Sequence, residues 1–417
     1  VAVNATSLQF REQNEFFRRK LNLPTNGWTD VYTREHDYAF TVAGANRDDL
    51  VADFRQAVQR AIEDGTTLED FRKDFDRIVA RHGWSYNGGR NWRSRVIYET
   101  NLRSSYMAGR YEQLMAVREQ RPYWQYLHSD AVEHPRPLHE SWNGLVLHWS
   151  DPFWQTHFPI NAWGCQCSVR ALSYDDLVRM GKNGPDPSPV IKLETRTIGQ
   201  RSPQGPRTVE VPEGIDPGFE YIPGKSRLEG AVPLPRETEE LIPAPAPGLP
   251  NRIATDPLPP PRAFPPERVL PVDLPETTYV QQYLAEFGAT LDTPAVVRDV
   301  IGERLVVGKD LFLERKSGQL KANKRGRGKW LLMLAEALKQ PDEIWVRLEW
   351  LGALKKAVVR RRYLARFQVE GETKPAMAVF EVGSDGWLGV TTFPPEDGAY
   401  VDGLRQGIRL YQRDQSL

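Results

Sequence analysis

Imidazole disappears from this chain after His157, because all seven histidines lie at or before that position. Acid–base chemistry in the later residues must therefore run on carboxylates or on a lysine of shifted pKa. Cysteine is nearly absent too, with two residues in 417. Cys165 and Cys167 stand two apart, which makes a poor disulfide and does not suggest a secreted, cross-linked scaffold. No apolar run approaches the ~18–20 residues that a membrane span needs. Residues 1–12 lack a basic stretch followed by an apolar one, so no signal peptide is expected. Net charge is missing as well: 55 basic residues meet 55 acidic ones, which excludes a histone-like chain and an acidic disordered one. These absences point to a protein made and used in a reducing cytoplasm.

What remains is enough for a real core. Hydrophobic residues make up 40% of the chain, and its length suggests two or three domains. Residues 1–45 are polar and aromatic with weak periodicity, read as a short helix near 8–20 and an extended arm. Leu50, Val51, Phe54, Ala57, Val58, Ala61 and Ile62 then recur at three- and four-residue spacing, predicting a helix that Gly65 ends. Thr67 to Asp70 looks like a capping box opening a second helix, with Leu68, Phe71, Phe75 and Ile78 on one face and Gly83 closing it. A third helix over about 91–118 has apolar residues spread around it, so it should touch neighbours on several sides.

The character changes at Pro122. Residues 123–127, 145–149 (after the turn dipeptide Asn143-Gly144) and 165–172 read as strands, and a short helix starts at Ser173. Residues 185–275 hold 22 of the 33 prolines, too many for a helix or a central strand. They read as an extended tether with a small strand pair around 208–211 and 219–222. After about 270 come an amphipathic helix at 279–287, short strands at 305–307 and 311–313, and a buried helix at 329–338. Alternating segments at 343–350, 357–369, 376–382 and 388–393 then predict an antiparallel sheet. The expected class is multidomain α+β: an arm (1–45), a helical bundle with a small β-rich His/Cys unit (46–180), a proline-rich linker (181–267) and an α+β sheet domain (268–417).

The His/Cys unit holds five histidines, His128, His134, His139, His148 and His157, beside both cysteines. If Cys165 and Cys167 share a strand, both sulfurs face one way. With one or two imidazoles they would make the closed ligand set of a structural zinc site. His139 is the first candidate to complete it, then His157, His134 and Asp130. Alternatively, His139 and His128 bond backbone in a loop-rich fold and the cysteines are small buried groups. A cysteine nucleophile lacks an orienting partner and an oxyanion-hole context.

The wording around this unit resembles a known family. Asp130, Arg136-Pro-Leu-His139, Trp142-Asn-Gly144, Asp151-Pro-Phe-Trp154 and Pro159-Ile-Asn-Ala-Trp-Gly-Cys-Gln-Cys167 resemble the phage Mu F-like minor head proteins, the head-morphogenesis family of tailed phages. The likeness covers about residues 45–172. Ile160 and Gln166 depart from it, standing where proline and arginine are usual. The resemblance implies a virion component needed for head morphogenesis, assembled in the host cytoplasm with the portal protein or the major capsid protein as partner, and no membrane.

In the last domain charge is segregated. Nine basic residues meet three acidic ones between Glu303 and Lys329, and six meet none between Lys355 and Arg366. Lys321, Lys324, Arg325, Arg327 and Lys329 form a glycine-spaced basic loop ahead of a helix, suited to phosphate contacts. Lys355, Lys356, Arg360 and Arg361 fall on a following hairpin as further nucleic-acid contacts. Lys321, Pro341-Asp-Glu-Ile-Trp345, Arg362-Tyr-Leu364 and Thr391 also resemble the phage-borne barnase–EndoU–colicin–RelE-like nuclease domains, over about residues 270–412. The resemblance implies a RelE/barnase-like fold and a ribonuclease working without metal. Lys321 and Lys324 would hold phosphate, Glu343 would be the base, and Arg362 with Thr391 would contact the transition state. Three readings stay open: a head protein with a ribonuclease-like toxin domain, a packaged effector ribonuclease acting on host RNA, and a non-catalytic module holding packaged DNA near the portal.

Overall fold

The computed structural model describes residues 10–132, 134–228, 233, 235–236, 252–352, 355–392 and 398–414. It divides into two compact units: Val1–Leu228 with Gly352–Lys356, and Glu229–Leu351 with Ala357–Leu417. Both mix helices with antiparallel strands, so the α+β class expected from the sequence holds.

The first unit opens with α1 (Arg11–Arg18) and a two-residue parallel pair, β1 (Leu21–Asn22) and β2 (Ala39–Phe40). Three longer helices follow: α2 (Asp48–Asp64), α3 (Leu68–His82) and α4 (Arg90–Ala116). Asp48 and Asp49 occupy the positive end of α2, and the Thr67 hydroxyl caps α3 by accepting from the Asp70 amide at 3.2 Å. Gly65 and Gly83 close the two helices in the left-handed region, at φ 70° and 57°. Phe54, Phe71, Phe75, Trp84 and Ile97 form the shared core, joined by Phe17 and Phe40. α4 is contacted by α1, α2, α3 and the strand β5 described next, which accounts for its unsegregated apolar pattern.

Beyond α4 the chain forms a three-stranded antiparallel sheet in the order β4 (Val146–His148), β3 (Tyr123–Leu127), β5 (Ser168–Leu172). Short helices α5 (Pro137–Ser141), α6 (Trp154–His157) and α7 (Tyr174–Arg179) surround it. The third strand starts later than the sequence suggested, so Cys165 and Cys167 lie in the loop leading into β5. The tether is a larger departure. Residues 181–228 belong to the first unit, with a hairpin of β6 (Leu193–Ile198) and β7 (Arg207–Pro212) and a short helix α8 (Lys225–Leu228). Residues 219–222 form no strand; 207–212 pairs with 193–198 instead. Prolines here sit at a strand end and in turns. The apolar residues between them, Ile215, Phe219 and Ile222, join the core of Trp124, Trp142, Trp154 and Phe158.

The second unit is built on a seven-stranded sheet. It uses β8 (Arg252–Ile253), β9 (Arg262–Phe264), β12 (Glu343–Leu351), β13 (Lys356–Val369), β14 (Ala376–Gly383), β15 (Gly386–Thr392) and β16 (Gln406–Gln412). The order is β15-β14-β13-β12-β16-β8, with β9 parallel to the end of β13. Residues 252–264, also read as tether, thus supply two edge strands, positions where proline is tolerated. The other proline run, 243–247, lies outside the described residues. Before the sheet come α9 (Glu276–Ala285), the hairpin β10 (Ala295–Arg298) and β11 (Arg304–Val307), and α10 (Leu331–Lys339). Residues 309–312 turn as a 3₁₀ helix rather than a strand. One sheet face packs Ile344, Tyr363, Phe380 and Trp387 on α9 and α10. The opposite face carries Trp345, Leu364, Met377, Val379 and Val390 under α11 (Ala399–Leu404).

α1 rests on α4 where Gly109 leaves room. A Cβ there would lie 2.8 Å from the Gln13 amide nitrogen and 2.8 Å from the Phe10 ring. Gln13 meanwhile donates to the Leu102 carbonyl and the Ser105 hydroxyl, both at 3.1 Å. Alanine would gain up to about 1 kcal/mol of helix propensity, while overpacking against backbone costs about 1–3 kcal/mol. Gly109→Ala should therefore lower the stability read from urea unfolding by about 1–2 kcal/mol. An unchanged or higher midpoint would show that α1 does not depend on this contact.

Candidate functional site

Two groups of side chains in the described residues have the makings of a site, one in each unit. In the first unit, Pro137 starts α5 and puts His139 on its buried side, stacked on Trp142 at 5.3 Å. The His139 Nε2 faces the Gly214 carbonyl at 2.9 Å. A carbonyl only accepts, so Nε2 carries the proton and Nδ1 keeps its lone pair. That lone pair faces Cys165 Sγ and Cys167 Sγ, each 3.8 Å away. Arg103 of α4 holds the cysteine loop by donating to the carbonyls of Gln166 and Cys167. His139, Cys165 and Cys167 are all buried, with ligand atoms within 4.8 Å of one another, an arrangement that could hold a metal ion.

His128 lies beside this group rather than within it, with Nδ1 3.6 Å from Cys167 Sγ. Sequence reasoning passed it over as a ligand. The signal lies in strand register: Leu127 pairs with Ser168, so the residue after one sits beside the residue before the other. His157 is not part of the group. It stacks on Phe153 at 4.2 Å, meets the Trp142 edge at 4.9 Å, and burial lowers its pKa to about 4. His134 and Asp130 are exposed and outside the group too. Cys165, bonded by the Cys167 thiol, is held well below the usual thiol range, and the same contact pushes Cys167 up.

In the second unit, Lys321, Lys324, Arg327 and Thr391 line one pocket with Trp330, Trp387 and Arg236. Glu276, in the first turn of α9, builds its rim by accepting from the Ala322 and Asn323 amides. Asn323 Oδ1 in turn accepts from the Gly328 amide at 2.8 Å. Lys321 pairs with Glu314 at 2.7 Å, and Lys329 lies over the Trp330 ring at 4.5 Å. Arg325 is in the same 3₁₀ turn, Lys324–Trp330. Lys355 and Lys356 are at the β12–β13 turn and do not line the pocket.

The remaining candidates lie in the sheet. Arg361 faces the helices and bonds Asp299 at 3.1 Å. Arg360 and Arg362 face the other way, bonding Asp385 and Glu381. Glu343 is fully buried, takes both branches of Arg405 at 2.8 Å and accepts from the Trp345 indole at 2.7 Å. With its oxygens so occupied it does the work of an ion-pair anchor, and the geometry does not favour it as a base. Sequence reasoning missed Arg347, Glu349, Glu381 and Arg236. The alternation of Glu343, Arg347 and Glu349 on β12 was the available signal, and it reads as an ordinary solvated face.

Comparison with known proteins matches both regions. Residues 52–170 match the family described as phage Mu protein F like protein, and residues 282–412 match phage-Barnase-EndoU-ColicinE5/D-RelE like nuclease2. The putative capsid assembly protein F of Escherichia phage Mu is 35% identical over 191 residues, 42% of this chain and 43% of that protein. The Mu-like prophage FluMu F protein of Haemophilus influenzae is 34% identical over 189 residues, 43% of this chain and 45% of that protein. The matched part thus spans less than half the length of these relatives. No solved structure matches. Residues 52–170 are accordingly a phage Mu F-like domain, and residues 282–412 a phage barnase–EndoU–colicin–RelE-like nuclease domain.

Proposed function

We propose that the first unit is a head-assembly component of a tailed-phage virion, seated on the portal or the inner capsid, and that the second is a metal-independent ribonuclease carried with it. The observation that supports the first half is the likeness to the capsid assembly protein of phage Mu, together with a Mu F-like match that falls wholly inside the first unit. The nuclease-like match lies wholly inside the second unit's part of the chain apart from the Gly352–Lys356 turn, as a carried domain would. Deleting 1–180 in the parent phage should abolish mature heads, while deleting 268–417 should leave head yield within about twofold. Normal heads without 1–180 would contradict the assembly role.

The His/Cys group is a structural zinc site in this reading. A tetrahedral zinc with sulfur at about 2.3 Å and nitrogen at about 2.0–2.1 Å sets its ligands about 3.3–3.8 Å apart. The separations of 3.8, 3.8 and 3.6 Å fit that spacing. His139 offers the free lone pair that a ligand needs, with its other nitrogen donating to the Gly214 carbonyl, as metal-bound imidazoles usually do. Cys165, Cys167 and His139 would take three positions and His128, beside Cys167, would move in to take the fourth, leaving none for water, so the metal would cross-link loops without activating a nucleophile. Purified full-length protein should hold about one zinc per chain. Cys165→Ser should lose it and melt roughly 6–12 °C lower, corresponding to about 3 kcal/mol. His157→Ala should keep its metal. Absence of zinc with an unchanged melting temperature in Cys165→Ser would end the zinc reading.

A further inference from the structure

Tryptophan is exposed at one place in the first unit. Trp28, Trp92 and Trp163 are 36%, 56% and 39% exposed, and every other described tryptophan is more covered. All three line a single cavity of about 330 Å³, within the range of roughly 300–1,000 Å³ that ligand pockets occupy. They reach it from distant parts of the chain. Trp28 precedes the 3₁₀ turn Thr33–Asp37, Trp92 is in the first turn of α4, and Trp163 is in the loop before Cys165. The Trp28 and Trp163 rings meet edge-on at 6.3 Å, and Trp163 meets Phe219 at 4.9 Å. Exposed indoles gathered around one concave site are what protein partners use as anchors, and burying them would supply much of the affinity.

The same cavity holds two cations that are far better covered. Lys20 is 4% exposed and Arg93 9%, and among the described residues no Asp or Glu lines the cavity with them. The Lys20 ammonium makes no hydrogen bond or ion pair among those residues, and its recorded contact is the Phe16 ring at 4.8 Å. Asp37 attracts it, but the oxygens of Asp37 accept from the Gly224 and Ser226 amides and from the Ser226 hydroxyl. Arg93 donates one nitrogen to the Ala43 carbonyl, while its Nε has no partner. Burial lowers Lys20 to about 7, with Asp37 opposing the fall and Arg227 and Arg55 adding to it. His36, also on the wall, is lowered by burial to about 3 and is neutral near pH 7. An ammonium covered without a partner is costly, so the cavity favours an added anion.

We propose that this cavity docks an acidic, apolar peptide segment of a partner protein in the phage head, with one Asp or Glu carboxylate of the peptide against Lys20 and its apolar neighbours on Trp28, Trp92 and Trp163. The inference rests on the assembly reading of the first unit and names the chemistry of its partner. Charge complementarity selects the carboxylate, since the cavity offers cations and no acid. The walls select what flanks it: Val42, Val96, Ile97 and Ile160 are apolar and suit hydrocarbon side chains. A nucleic-acid strand carries a charge at every phosphate and would meet only Lys20 and Arg93 here. The exposed rings extend the contact beyond the cavity itself, which a chain can use and a small free carboxylate cannot.

The test is selection of a displayed library of random dodecapeptides on the full chain, then fluorescence anisotropy with a labelled selected peptide. Selected sequences should carry Asp or Glu beside Trp, Phe or Leu, and replacing that carboxylate by its amide should weaken binding at least about tenfold, as should Lys20→Met. Lys20→Met should melt no lower than wild type, because it removes an ammonium that has no partner. Trp92→Ala should also bind at least about tenfold more weakly. Circular dichroism checks folding; if Lys20→Met does not fold, Trp92→Ala decides. An empty selection, selected peptides without a carboxylate, or binding within threefold of wild type in the folded variants overturns the site. An oligothymidylate or decanoate that binds more tightly than the peptide, and is lost in Lys20→Met, overturns the peptide occupant. In the parent phage both variants should lose mature heads. Normal heads from both, where deletion of 1–180 abolishes them, would overturn this site and leave the assembly reading standing. Normal heads from the deletion as well would remove the assembly reading itself.

Discussion

A single hydrogen bond, from His139 Nε2 to the Gly214 carbonyl, decides what the first unit can do. It fixes the imidazole as the tautomer whose lone pair faces Cys165 and Cys167. It also draws the chain after β7 against α5, where Asp216 accepts from Arg136 at 3.0 Å and from the Trp163 amide at 3.1 Å. Ile215, Phe219 and Ile222 then fall into the same core as Trp142 and Phe158. An imidazole tied this way, and buried against an indole, is poorly placed to exchange protons with a substrate. The richest concentration of histidine and cysteine in the chain is therefore a structural staple in this account, and chemistry is left to the unit that has neither residue.

The second unit solves the complementary problem. Its sheet has an apolar face under α9 and α10 and a mixed face where arginines and carboxylates alternate with Trp345, Leu364 and Val379. Some of those charges are fully matched, as Glu343 is by Arg405. Around Glu349, Arg347 stands in ion-pair contact and Arg360 and Arg362 each lie 3.8 Å away. Burial raises Glu349, whereas Glu381, equally buried, is held below its ordinary range by Arg362, Arg236 and Arg360. Two carboxylates on strands separated by β13 thus take different protonation behaviour from their environments.

Much of this was legible in the chain itself. The helices α2 and α3 follow from spacing, caps and closing glycines, and the sheet of the second unit follows from alternation. Both family resemblances rested on short phrases, above all Gly164-Cys-Gln-Cys167 with Asp151-Pro-Phe-Trp154. What stayed hidden depends on contacts distant in sequence. Proline density at 185–223 reads as tether because local backbone limits say nothing of where Ile215 and Phe219 will be buried. His128 needed the β3–β5 register, and His157 looked like a ligand until aromatic neighbours enclosed it. Glu343 and Glu349 are alike in sequence; their arginine partners, Arg405 beside one and Arg347, Arg360 and Arg362 around the other, separate them.

The central claim, a closed staple in one unit and reaction chemistry in the other, is tested most directly by X-ray absorption at the zinc edge on the full-length protein. The account expects two sulfurs at about 2.3 Å and two imidazole nitrogens at about 2.0 Å with no further ligand. A shell without sulfur, or one with an exchangeable water oxygen in place of an imidazole, would contradict it.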